Sequence, residues 1–315
     1  MTIGNRGLYM MKKLGMAAFV FAPAMAMACA CGCGIFDVGT SSMLPEGEGG
    51  SISFEYDYAD QNRNWHGSSK APADANDDKE VRSHYYTADL QYMFNRTWGV
   101  EVAVPYVQRA FSASGNDGTV STADWSQLGD IRLKGIYTGF SPDLSSGVNF
   151  GLKLPTGSHT HTDDAVDVDR DTQIGSGSTD LLLGGFHRES LTEDGLWKWF
   201  AQAQLDVPVL TQDDYRPGLE IDASLGTYYR GLSIGSVKIR PVAQIVGSER
   251  TRDTGANSAH PAATGYQRLL VAPGFEIDMH PVRIYADLGL PLYTHVTGEQ
   301  LVAPALVKVV VSYMF

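Results

Sequence analysis

From Gly50 onward the chain alternates between apolar and polar residues with a period of two. Ile52, Phe54, Tyr56 and Tyr58 fall on one face of an extended segment, and Ser51, Ser53, Glu55 and Asp57 fall on the other. The same period places Ala88, Leu90, Tyr92 and Phe94 against Asp89 and Gln91, and Val100, Val102 and Val104 against Glu101. It returns near the end, where Ile284, Ala286, Leu288 and Leu290 oppose Arg283, Tyr285 and Asp287. Such segments are strands, and twelve can be counted, the last being 306–315. No stretch between them has the 3.6-residue repeat of an amphipathic helix.

Alternation alone suits a soluble sandwich as well as a barrel. The connections separate the two. Long breaks at 60–80, 113–126, 156–178, 211–218, 247–266 and 295–304 alternate with short ones near 95–98, 141–146, 192–195, 231–235 and 280–282. Long loops on one rim and tight turns on the other predict an all-β, transmembrane, antiparallel up-and-down barrel of about twelve strands. Trp98, Trp197, Trp199, Tyr229 and Tyr293 near strand ends suit interfacial girdles. The chain stops on an aromatic in mid-strand, with Val307, Val309, Val311, Tyr313 and Phe315 on one face. Tyr313 and Phe315 thus resemble the C-terminal strand signal by which the barrel-assembly machinery accepts bacterial outer-membrane proteins.

Composition agrees with that picture. A net charge of −12 argues against a nucleic-acid partner, and the mean hydropathy of −0.15 excludes a bundle of transmembrane helices but not a barrel, in which only alternate residues meet lipid. Residues 1–28 carry Lys12 and Lys13, an apolar run and an Ala26-Met27-Ala28 ending, the signature of a cleavable export signal, with Met10 or Met11 an alternative start. Its removal takes away Arg6, Lys12 and Lys13 and no acid, so the mature chain carries −15. Residues 29–49 form a Cys-containing segment that could plug the barrel or hang from it, and 50–315 form the barrel. This organisation predicts the outer membrane as location, with its lipid and lipopolysaccharide as surroundings.

If the apolar face meets lipid, the other face lines the interior. That set includes Glu55, Asp57, Asp89, Glu101, Arg132 and Lys134 in the first half of the barrel, and Glu220, Asp222, Arg268, Glu276 and Asp287 in the second. Charges of both signs can be buried only with water or as pairs, so the lumen is expected to be hydrated or laced with salt bridges. About 8 strands give a filled interior and 16 to 18 an aqueous channel, so twelve should leave a narrow lumen.

Leu154-Pro155-Thr156-Gly157, a long polar loop, then Gly175-Ser176-Gly177-Ser178-Thr179-Asp180 and Gly184, with a closing Phe, resemble the family of putative MetA-pathway of phenol degradation proteins. The resemblance implies an outer-membrane barrel acting as a porin or transporter for hydrophobic or aromatic solutes, without catalytic residues.

Two clusters could carry metal chemistry. Cys29, Cys31 and Cys33 bring three soft ligands close together, which suits copper or zinc if the thiols stay reduced, a disulfide if they oxidise, or lipidation at Cys29. In the third long loop His159 and His161 share one side of an extended chain, and Asp167, Asp169 and Asp171 form a carboxylate row suited to a divalent cation. With five Asp and one Arg between Ser158 and Thr172, the same loop also reads as a solvated acidic segment. His84, His187, His260, His280 and His295 are scattered along the chain, so no enzyme is expected. The expected function is passage of small-molecule solutes, and the alternative is a barrel whose Cys cluster and His/Asp loop hold metal.

Overall fold

The computed structural model describes residues 44, 45, 47–115, 117–258 and 261–315. The export signal and Cys29, Cys31 and Cys33 lie outside them. Among the described residues sixteen strands are formed: β1 (Gly49–Gln61), β2 (Arg63–Gly67), β3 (Ser69–Lys70), β4 (Asp78–Met93), β5 (Trp98–Ser114), β6 (Val120–Leu128), β7 (Ile131–Tyr137) and β8 (Ser146–Leu154). They continue with β9 (Ser178–Ser190), β10 (Trp197–Thr211), β11 (Glu220–Tyr229), β12 (Leu232–Ile234), β13 (Val237–Arg250), β14 (Tyr266–Met279), β15 (Val282–Val302) and β16 (Leu306–Met314). β6 and β7 are two halves of one barrel strand, since both pair with β5. With β2, β3 and β12 as small additions to loops and turns, twelve antiparallel strands pair in sequence order and β16 returns to β1. The barrel is closed, β1 pairing with both β4 and β16. Among the described residues no helix is long and apolar enough to cross a membrane.

The pleat sorts the side chains opposite to a soluble protein. On β1, Ile52 and Phe54 are 55% and 52% exposed, whereas Glu55 and Asp57 are 7% and 1% exposed. Exposed Leu90, Val100, Leu133, Phe150, Leu183, Ile221, Leu225, Phe275, Leu288 and Val311 continue this apolar outer surface around the wall. It ends towards the short turns in aromatic pairs: Tyr92 with Phe94 and Phe315, Trp98 with Tyr137, and Trp197 with Tyr229. An apolar band bordered by aromatics is what a bilayer contacts. Tyr313 and Phe315 point outward at the seam, where Phe315 and Gly50 exchange backbone hydrogen bonds of 2.8 and 2.9 Å.

The long connections differ from expectation in one respect. Residues 113–126 are mostly strand: β5 and β6 pair through Ser114↔Val120, leaving a tight turn, and β15 runs on to Val302, where it pairs with β2. These hairpins rise beyond the apolar belt. Both faces there meet water or other loops, so the strands lose their alternation while the backbone ladder continues.

Candidate functional site

The register of the barrel places opposite charges side by side on the inner wall, where cross-strand neighbours interact directly. Asp57 and Asp287 both face Lys308 in the ladder, and Lys308 Nζ lies 3.2 Å from Glu55 and 3.8 Å from Asp57. Glu101 faces Lys134 at 2.5 Å. Lys153 pairs with Asp180 across the ladder and reaches Asp206 at 3.3 Å. Towards the short turns, Arg240 pairs with Glu276 and, at 2.7 Å, with Asp278, and Arg283 lies 3.5 Å from Glu276. Asp89, Asp222 and Arg268 are also buried on this inner face, Arg268 stacking over Tyr266, whose hydroxyl donates to Glu220 at 2.6 Å. Arg132, partly buried, lines a cavity near Lys153. Tyr285 donates to Asp287 at 2.6 Å, and Gln244 donates to both.

One layer of the interior is apolar. Phe200, Val242, Tyr285 and Val310 pack together, all nearly or fully buried, one step in from the short-turn end. Leu44 enters from that end, packing against Met93, Ile136 and Phe186, and Arg188 donates to the Pro45 carbonyl at 2.5 Å.

The opposite end is covered by the third long loop, residues 155–177, which turns into the barrel. Its placement begins with Pro105 on β5, which has no N–H to give the neighbouring strand. β6 and β7 break there at Gly129 and Asp130, with the Gly129 N–H donating to the Pro105 carbonyl at 2.8 Å. The break releases Asp130 to accept from the Gly157 N–H (3.0 Å), the Ser176 N–H (2.8 Å) and the Ser176 hydroxyl (2.5 Å), so one carboxylate gathers both ends of the loop. The ends abut so closely that a Cβ on Gly175 would lie 2.2 Å from the Gly157 carbonyl oxygen. The middle is held by Arg109, whose guanidinium donates to the carbonyls of Thr172 (2.7 Å) and Gln173 (3.1 Å), and to Ser83 and Tyr85 on the wall. Val166 and Val168 pack on Val81, Phe111, Ala123 and Leu301.

Beneath the loop lies a cavity of about 130 Å³. Its charged walls include Arg132, Lys153, Asp180 and Asp206 from the barrel and Arg170 and Asp171 from the loop. Tyr215, Pro217 and Gly218 border it from the next loop, where buried Asp253 accepts from the Tyr215 hydroxyl and the Gly218 N–H.

The histidines and aspartates of the loop are not brought to one point. His159 pairs with Asp213 at 2.7 Å, while the His161 ring stacks on Trp125 with centroids 4.7 Å apart. Asp167 is exposed, the Asp169 carbonyl accepts from the Thr172 N–H, and the Asp171 carboxyl faces the barrel interior. Among the described residues no group of three or more His, Cys, Asp or Glu converges as a metal site. The two-residue spacing assumed an extended loop, whereas the apolar anchors Val166 and Val168 and the Arg109 tie curl it inward. Sequence reasoning missed Arg109 as a tie and the joining of the two Gly/Ser motifs, although those motifs flank the loop.

No family model matches the chain, so its likeness to the phenol-degradation family rests on the motifs alone. No curated protein matches it in sequence. In fold it is similar to an outer membrane channel from Pseudomonas putida, at 13% identity over 88% of this chain and 100% of that one, with a TM-score of 0.61. It is also similar to the beta domain of the Bordetella autotransporter BrkA, at 12% identity over 85% of this chain and 100% of that one, with a TM-score of 0.52. These likenesses show the outer-membrane type of barrel fold.

Proposed function

We propose that the chain is an outer-membrane channel for small solutes, closed in this structure by the loop of residues 155–177. The observation that carries the reading is the position of that loop. It sits inside the barrel, tied to the inner wall by Arg109 and Asp130, over a water-sized to ring-sized chamber with a charged wall. A barrel that only anchored a surface domain would gain nothing from paired charges along its interior, each of which costs desolvation unless water or a partner meets it. The apolar outer band supports location in the membrane. Tyr313 and Phe315, outward at the seam, are where the assembly machinery would grip the last strand.

For the solute, the chamber favours amphipathic compounds. Tyr85, Pro105, Val107 and Ile174 supply apolar surface beside Lys153, Asp180 and Asp206. The hydrophobic or aromatic solutes implied by the family resemblance fit if they carry a polar group. Swelling of liposomes containing the purified barrel tests this: small polar aromatics should enter faster than into empty liposomes, and equal rates for every solute would refute it.

A further inference from the structure

The loop that closes the barrel carries a carboxyl shut away from both water and protein donors. Both Asp171 oxygens are out of contact with solvent, and neither accepts a hydrogen bond from the described residues. The charges around it come from several elements. Asp169 on the loop, Asp253 on the β13–β14 connection and Asp78 at the start of β4 share its sign, and after burial itself they hold its pKa well above the usual carboxylate range. The cations nearby are engaged with other groups. Arg109 on β5 holds the carbonyls of Thr172 and Gln173, and Arg250 on β13 pairs with Asp253 at 2.7 Å. Lys153 pairs with Asp180 and Asp206. Arg170, although adjacent in sequence, donates to the Ser176 carbonyl at 2.8 Å and lies over the Tyr215 ring at 4.4 Å.

A buried carboxyl without donors is tolerated far better neutral than ionised. With the loop inside the barrel, Asp171 therefore keeps its proton at pH values where an ordinary carboxyl has lost it. With the loop swung out, the side chain meets water and ionises near the ordinary value, about 3.9. Between those two values each opening releases one proton, so the ratio of open to closed loop rises about tenfold per pH unit. The position makes this effective. Asp171 directly precedes Thr172 and Gln173, where Arg109 ties the middle of the loop, whereas Asp130 holds only the ends. Ionisation thus works against the tie that keeps the middle of the loop inside.

We propose that Asp171 makes the loop a pH-sensitive gate, held in the barrel while its carboxyl is neutral and released as the carboxyl ionises. The proposal rests on the channel reading and deepens it by naming what regulates the closure. Maleimide labelling of Thr172→Cys in the folded full-length chain, read on the peptide that carries residue 172, follows opening without a bilayer. Rates are compared from about pH 5 to about pH 9 with and without Asp171→Asn, so that their ratio cancels the thiol's own pH dependence. The ratio should rise with pH, by up to about tenfold per unit, and then level off. Asn is nearly the size of the protonated carboxyl, so this variant should fold; if it does not, the rate in the unfolded chain supplies the reference at each pH. Asp164→Asn, an exposed acid of the same loop, should keep the rise, and so should His159→Gln, which removes the partner of Asp213. A flat ratio, or a rise that disappears in His159→Gln, would overturn the proposal. Opening driven by pH in a barrel that never conducts would sink the channel reading alone. Conductance with opening independent of pH would sink this proposal alone.

Discussion

Replacing Arg109 by Met should loosen the loop without unfolding the barrel. Arg109 is 4% exposed, and its guanidinium donates to two loop carbonyls, Thr172 at 2.7 Å and Gln173 at 3.1 Å. Hydrogen bonds from a charged donor contribute about 1.5–3 kcal/mol each. At the lower end, because the released carbonyls find water, the loss is about 3 kcal/mol, which is roughly a hundredfold in the ratio of closed to open loop. Asp130 still gathers the loop ends and Val166 still packs on Phe111, so the middle swings out while the ends stay. Thr172 is fully buried, which makes it the place to read the change. In a Thr172→Cys background, maleimide labelling should accelerate by one to two orders of magnitude when Arg109→Met is added. The barrel should keep its thermal unfolding temperature to within a few degrees. Unchanged labelling would refute the claim that Arg109 holds the loop in.

Other consequences follow from the same geometry. Lys153→Met leaves Asp180, 1% exposed at its side chain, beside Asp206 without the ammonium that pairs with both, and should cost about 3 kcal/mol of stability in denaturant titration. Adding Asp206→Asn should restore part of it, and no recovery would contradict the pairing. Gly175→Ala puts a Cβ 2.2 Å from the Gly157 carbonyl oxygen, so the loop ends must part, at about 1–3 kcal/mol and with faster proteolysis within the loop. Asp171, whose pKa is raised by burial and by Asp169, Asp253 and Asp78, is protonated in the folded state over a wider range than in the unfolded chain. Its contribution is therefore complete below the ordinary carboxylate pKa and is lost as pH rises through the raised value. The unfolding temperature of wild type should fall with rising pH more steeply than that of Asp171→Asn, and parallel profiles would count against a buried Asp171.

The twelve strands were legible because each barrel residue faces one of two environments, and a period of two is the direct imprint of that choice. Ile52 and Phe54 against Glu55 and Asp57 show it most plainly. Where the environment stops differing, the pattern stops too. Ser112, Ser114 and Thr122 share one face with Val120, and Ser121 shares the other with Phe111 and Ala123, so neither face is uniform and the β5–β6 hairpin read as a loop although its ladder is continuous. The loop's course was hidden for another reason. Its ties, Arg109 to Thr172 and Asp130 to Ser176, join residues 63 and 46 positions apart, and no local spacing reports them. The His159-x-His161 spacing was visible but misleading, because chain direction inside the barrel sends one ring to Asp213 and the other to Trp125.

Because Gly157 and Gly175 touch, the loop can be shortened without straining the barrel. Single-channel current across a planar bilayer, recorded for wild type and for a chain with residues 160–172 replaced by two glycines, tests the central claim most directly. A channel closed by this loop predicts rare, small openings in wild type and sustained, larger ones in the shortened chain. Silence from both, with the shortened chain shown to be folded and inserted, would contradict it.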